Sequence, residues 1–407
     1  NTTAWVASGA TLTQTGSSSC VSASGTCWST ALPASLAGAP DPYAWTKDIQ
    51  VAATTTNASI NVGGNFSWLK LFGTNSTSTE GTAIGGSANV NIFHSNTVAG
   101  IGADATVTSI GKLAVTAKTS DLIYAVAPTS GKGSGLGLNG MASILEIDNT
   151  TSASISNLAQ ISASFVAVNA EQYISSFNVA GGVGSAAATG VGMVAALVST
   201  SLNTKAFVGD NSMELAVTGA TANDSNMTRT VTAGLSAFDL AVTALTVGRM
   251  TTVSVAAQSA NNVPDPTETP EFIKTAPPNA DYLTKAASFF VDAGIALLLK
   301  TTVAINNLTD DVSGPVNGGN VVAGAGSASV DLTSVATAAW IAGASVGYAP
   351  GGNNHVTVQA LNNTIVDTAS GAAALSKGAP GTDYNVALAG AVRSEEHTSE
   401  LQSRQYL

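Results

Sequence analysis

Two stretches of the chain read alike. LAVTAKTSDLIYAVA (Leu113 to Ala127) and VAVNAEQYISSFNVA (Val166 to Ala180) align at an offset of 53 residues. Val115 meets Val168, Ala117 meets Ala170, Tyr124 meets Phe177 and Val126 meets Val179, so apolar stays with apolar. The correspondence continues from GLNGMASI (Gly137 to Ile144) onto GVGMVAAL (Gly190 to Leu197) at the same offset. Between these blocks Asn149-Thr150, followed by Ala153 and Ile155, resembles Asn203-Thr204, followed by Ala206 and Val208. Asn96-Thr97, with Ala99 and Ile101, is a third copy with a one-residue slip. Weaker echoes occur at Val303 to Thr309 and Val356 to Val366.

Inside each unit the apolar residues alternate, as in Leu113, Val115 and Ala117, which is strand periodicity. Almost no segment carries the stripe of an amphipathic helix. An antiparallel sandwich also contains short strands, but it does not hold a long-range repeat to within one residue over three copies. Stacking does both. The fold expected is therefore all-β, a parallel β-helix (β-solenoid) with loop insertions. If a unit makes two turns of about 26 residues, each turn rests on the last at about 4.8 Å and Val115 and Val168 stand two rungs apart. Three turns of about 18 is the alternative. The Asn-Thr joints are expected at corners, where Asn tolerates left-handed backbone.

Residues 46–392 are assigned to the solenoid and 1–45, Ser-rich and without a clear repeat, to an irregular N-terminal coil or insertion. Residues 261–280 contain Pro264, Pro266, Pro270, Pro277 and Pro278, which lack ladder donors, and are read as a loop excursion. Residues 281–300 either resume the strands, the favoured reading, or hold a short helix. Arg393 to Arg404 resembles the translation of a sequencing-library adapter, so 393–407 is expected to be a non-native tail. The start at Asn1, in what reads as folded-domain sequence, makes the chain an expected fragment of a longer protein.

The 407 residues are 44% hydrophobic and only 10% charged, enough for a core but leaving a surface of Thr, Ser, Asn and Gly. A net charge of -11 argues against a nucleic-acid partner. The longest apolar candidate, Ala286 to Leu299, is interrupted by Asp292 and Gly294, so no membrane span is expected in this fragment. Cys20 and Cys27 suit a disulfide closing a small loop, with two free thiols as the alternative, and no further Cys or His stands near enough for zinc.

Partial motifs are few. Gly343-Ala344-Ser345-Val346-Gly347 matches a nucleophile elbow, but the base would have to be His94 or His355, and an Ala/Gly-rich strand is the simpler reading. Gly131-Lys132-Gly133-Ser134 fails the phosphate-loop requirement and reads as a surface turn. Asp310-Asp311 is the one adjacent acidic pair of its kind before the tail and would be the acid and base of a polysaccharide-cleaving enzyme. Asp148 and Asp210 read as corner residues rather than calcium ligands. No catalytic, cofactor-binding or metal-binding residue is assigned, and no enzyme activity or cofactor is expected.

The Asn-Thr joints, the V-x-V-x-A strands and the Gly/Ala-rich cores resemble the repeat region of filamentous-haemagglutinin-like and autotransporter adhesins. These are large β-strand-repeat bacterial exoproteins, and the resemblance spans residues 46 to 392. It implies export by an outer-membrane secretion transporter and extracellular display at the cell surface. It also implies contact with host or bacterial surface glycan or protein, made by insertions; residues 261–280 and the Cys20 to Cys27 loop are the candidates. A β-helical polysaccharide lyase or hydrolase is the first alternative, and a passive matrix protein the second.

Overall fold

The computed structural model describes residues 1–14, 49–63, 82–109, 111–133, 136–186, 189–209, 233–237, 239–260, 321–348, 355–376 and 385–405. They form sixteen strands and no helix. In chain order the strands are β1 (Thr2–Val6), β2 (Thr11–Gln14) and β3 (Ile49–Val62), then β4 (Thr82–Ile101), β5 (Thr106–Ser109) and β6 (Lys112–Gly133). Next come β7 (Leu136–Ser156), β8 (Gln160–Ser162) and β9 (Phe165–Ala186), followed by β10 (Thr189–Gly209), β11 (Ala233–Ala237) and β12 (Asp239–Ala260). The last are β13 (Val321–Ala342), β14 (Ala344–Tyr348), β15 (His355–Ser376) and β16 (Asn385–Gln405).

Every third strand pairs, and every pairing is parallel. Sheet 1 runs β1-β4-β7-β10-β13-β16, the narrow sheet 2 runs β2-β5-β8-β11-β14, and sheet 3 runs β3-β6-β9-β12-β15. The chain thus visits sheets 1, 2 and 3 in the same order throughout. Val115 pairs directly with Val168 and Leu138 with Val191, both at the 53-residue offset. The circuit from β6 to β9, and from β7 to β10, therefore takes 53 residues and advances a single rung, which replaces the expected two turns of about 26.

Sheets 1 and 3 face each other across alternating strands. In β7 the odd-numbered residues from Gly137 to Ile155 are buried, and most of the even-numbered ones are not. The inward side chains shrink along the strands. Where sheet 2 closes one end, Ile101, Ile155, Leu113, Val166 and Leu240 pack with Val107 and Ile161. At the far end, where sheet 3 returns to sheet 1, the contacts are mostly Ala127, Ala180, Ala196, Ala256 and Ala325. A wedge-shaped interior follows from that gradient, and it explains why glycine and alanine accumulate without breaking the strands.

The corners between sheets 1 and 2 repeat a tight turn: Ala10 N–H donates to Ala7, Ala105 to Gly102 and Ala159 to Ser156. Its third residue is left-handed: Gly9 (φ 71°), Asp104 (φ 59°), Leu158 (φ 65°). The Asn-Thr joints are not corners; they lie within β4, β7 and β10. Residues 1–14 are not irregular either, since β1 and β2 extend sheets 1 and 2. Arg393–Gln405 continues β16 alongside β13. Residues 261–280 and 281–300, Cys20 and Cys27 lie outside the described residues.

Candidate functional site

The polar residues that alternation sends inward meet across the gap between sheets 1 and 3. Thr97, Thr151, Thr204 and Thr337 occupy one inward column of sheet 1, and Thr55, Thr119, Gln172 and Thr246 the facing column of sheet 3. Thr55 Oγ1 donates to Thr2 at 2.8 Å, Thr97 to Thr55 at 2.7 Å and Thr119 to Thr97 at 2.9 Å, while Thr119 and Thr151 share a bond of 2.7 Å. Further along, Thr204 donates to Gln172 and Thr246 to Thr204, each at 2.8 Å, and Thr246 bonds Thr337 at 2.7 Å. The columns form two hydrogen-bonded zigzag runs, and Thr97, Thr119, Thr151, Thr204 and Thr246 within them are all 0% exposed.

Two carboxylates share this interior. Asp121 accepts from Asn57 at 2.8 Å and from Asn149. Asp331 accepts from Thr333 at 2.7 Å and Thr252 at 3.1 Å. Burial pushes both carboxyls above the ordinary value, against the opposing pull of those bonds. Neither was singled out from sequence, although each stands in the inward phase of its strand. Asp148, expected at a corner, lies mid-strand on the outer face of β7.

Charges on the outer faces sit as cross-strand neighbours. His94 faces Asp148 (3.6 Å), Lys118 faces Glu171 (3.8 Å), Arg249 pairs with Asp367 (2.9 Å) and His355 faces Asp239 (3.5 Å). Such pairs support a sheet and do not form a converging acid–base wall. Phe207 and Trp340 stack at 4.8 Å but are both buried, so they offer no open platform. Among the described residues no group of three or more His, Cys, Asp or Glu could hold a metal ion.

The motifs fall as follows. Gly343 forms the bend between β13 and β14, and Ser345 lies within β14 paired with Gly234, so strand directly follows the serine where an elbow requires a helix. Gly131 to Gly133 is the end of β6, paired with Gly184 to Ala186, and not a surface turn. Asp210, Ser134, Asp310 and Asp311 lie outside the described residues. Comparison with protein-family models, curated proteins and solved structures yields no match to this chain.

Proposed function

We propose that the chain is the repeat region of a secreted bacterial surface protein, a parallel β-solenoid serving as a non-enzymatic stalk. It would be exported by an outer-membrane secretion transporter and would present the segments between its strands to glycan or protein on another cell. The observation that carries this reading is register held across connections of very different length. Residues 134–135 alone separate β6 from β7, whereas residues 261–320 separate β12 from β13, yet both junctions return the chain in register to sheet 1. A fold that tolerates such insertions at one edge is suited to display. The cross-strand use of its outer charges supports scaffold over catalysis.

The test compares beads coated with the full chain and with a variant in which a short Gly/Ser linker replaces 261–320. Both are incubated with bacterial cells, host cells and a polysaccharide panel. Retention by the parent, loss in the variant and no new polysaccharide chain ends are expected. New chain ends would replace this reading with a lyase or hydrolase and make Asp310 and Asp311 the first targets. No retention on any surface would leave a matrix protein.

A further inference from the structure

The outer face of sheet 1 is apolar, with one charged residue, over a continuous area, in a chain whose net charge is -11. Val90 and Ile92 are each 56% exposed, Met193 67% and Leu332 43%. Over the rungs aligned with residues 84–92 of β4, the outward positions of β4, β7, β10 and β13 include a single charge, Glu146. Four strands at about 4.8 Å and nine residues at about 3.3 Å make a patch of about 570 Å². That stands at the top of the range for the largest apolar patch of a typical monomer, about 300–600 Å², and is about seven tenths of the roughly 800 Å² that each partner of a stable complex buries.

Its relief is self-complementary. Val90, Ile144, Leu197 and Val330 stand in one column as a ridge. Two positions back along each strand is a column of Ala88, Ala142, Ala195 and Ala328, and two further back Gly86, Gly140, Met193 and Gly326. Above Gly140 the space is open, since a Cβ there would meet nothing within 4 Å. A two-fold axis crossing the strands over the alanine column carries the ridge of one copy onto the glycine column of the other. The same rotation sets Met193 beside Leu197, where the flexible thioether can adapt.

We propose that sheet 1 is a self-association surface, through which a second copy of this chain packs face to face across a two-fold axis. An isologous interface requires one patch that fits itself, and this column order does so. Apart from Glu146 in the last row of the patch the packed faces carry no charge, so the contact should persist at high salt. The proposal stands apart from the display reading, because it concerns the scaffold and not the insertions.

The experiment is sedimentation equilibrium on the full chain at low and high salt, with Ile144→Lys on the ridge and Ile365→Lys on the outer face of sheet 3 as control. Ile365 is 50% exposed, so both substitutions place a lysine on an outer face and should keep the parent's circular dichroism. The expected result is a parent dimer, at least tenfold weaker association for Ile144→Lys, and an unchanged dimer for Ile365→Lys. A monomeric parent at all concentrations, equal weakening by both substitutions, or flotation of the parent with phosphatidylcholine vesicles in place of dimerisation would overturn it.

Discussion

Replacing Thr119 by Val keeps the shape and strand preference of the side chain and removes one hydroxyl from the buried zigzag. That hydroxyl donates to Thr97 at 2.9 Å and shares a 2.7 Å bond with Thr151, all three residues being 0% exposed. Each net bond contributes about 1 kcal/mol, and an orphaned buried hydroxyl costs about 1–3 kcal/mol. The single variant should therefore lose about 2–3 kcal/mol. The triple variant Thr97→Val, Thr119→Val, Thr151→Val removes the donors and acceptors together and strips Thr55 of only one incoming bond, its own bond to Thr2 remaining. It should lie within about 1 kcal/mol of the parent, whereas three independent losses would sum to about 6 kcal/mol or more. Urea unfolding followed by far-ultraviolet circular dichroism measures both, with amide exchange in β4, β6 and β7 reporting the local effect. A neutral single variant, or a triple variant as unstable as the sum, would show that the hydroxyls do not act as a bonded set.

Deleting Ala153 to Lys205 joins Ser152 to Ala206, which already occupies the rung of Ala153, so one circuit leaves in register. The shortened chain should keep its β spectrum, with a urea m-value lower by about an eighth in proportion to the surface lost, whereas a closed barrel would unfold. Asp331 holds its proton more tightly folded than unfolded, so stability falls as pH rises above 3.8 and levels off beyond the folded value. Asp331→Asn should raise the urea midpoint at pH 7 and show no gain below pH 3.8; a lower midpoint at pH 7 would show that the carboxylate itself is required. Leu158 (φ 65°) stands where glycine occurs in other circuits, so thermal unfolding should show Leu158→Gly stabilised by up to about 1 kcal/mol and Gly343→Ala (φ 62°) destabilised by a similar amount.

Alternation and offset were legible from sequence because both express direct partnership: Val115 and Val168 recur at 53 residues since they are hydrogen-bonded neighbours. The number of rungs per unit was not legible. Strands of 21 or 22 residues are long, and the Gly and Ala that fill the narrow end of the wedge read as breaks between shorter strands. The polar joints misled for a related reason. Asn149 resembles a corner residue until its partner is known, and that partner, Asp121, comes from the preceding strand of the opposite sheet. The true corners carry Asp104 and Leu158, residues without a shared chemical mark. For the candidate site, the inward phase of Asp121 and Asp331 was available in the alternation, but the relief of sheet 1 required the registers of four strands at once.

The buried zigzag also bears on how so uniform a chain selects its register. Alternation alone permits a strand to slip by two residues, because inward residues remain inward. In β6 such a slip would bring Ala117 or Asp121 to the place of Thr119, opposite Thr97 and Thr151, leaving buried hydroxyls unpartnered or admitting a carboxylate beside them. At about 1–3 kcal/mol for each orphaned group, one slipped strand forfeits a large part of the stability of an ordinary domain. The threonines thus need contribute little net stability to exclude the neighbouring registers. The triple valine variant separates the two roles: with an apolar column the slipped states differ from the native one mainly in packing. We expect it to retain its unfolding midpoint while amide exchange in β4, β6 and β7 becomes heterogeneous. Uniform exchange equal to the parent's would show that register is set elsewhere, by the corners and by the large side chains against sheet 2.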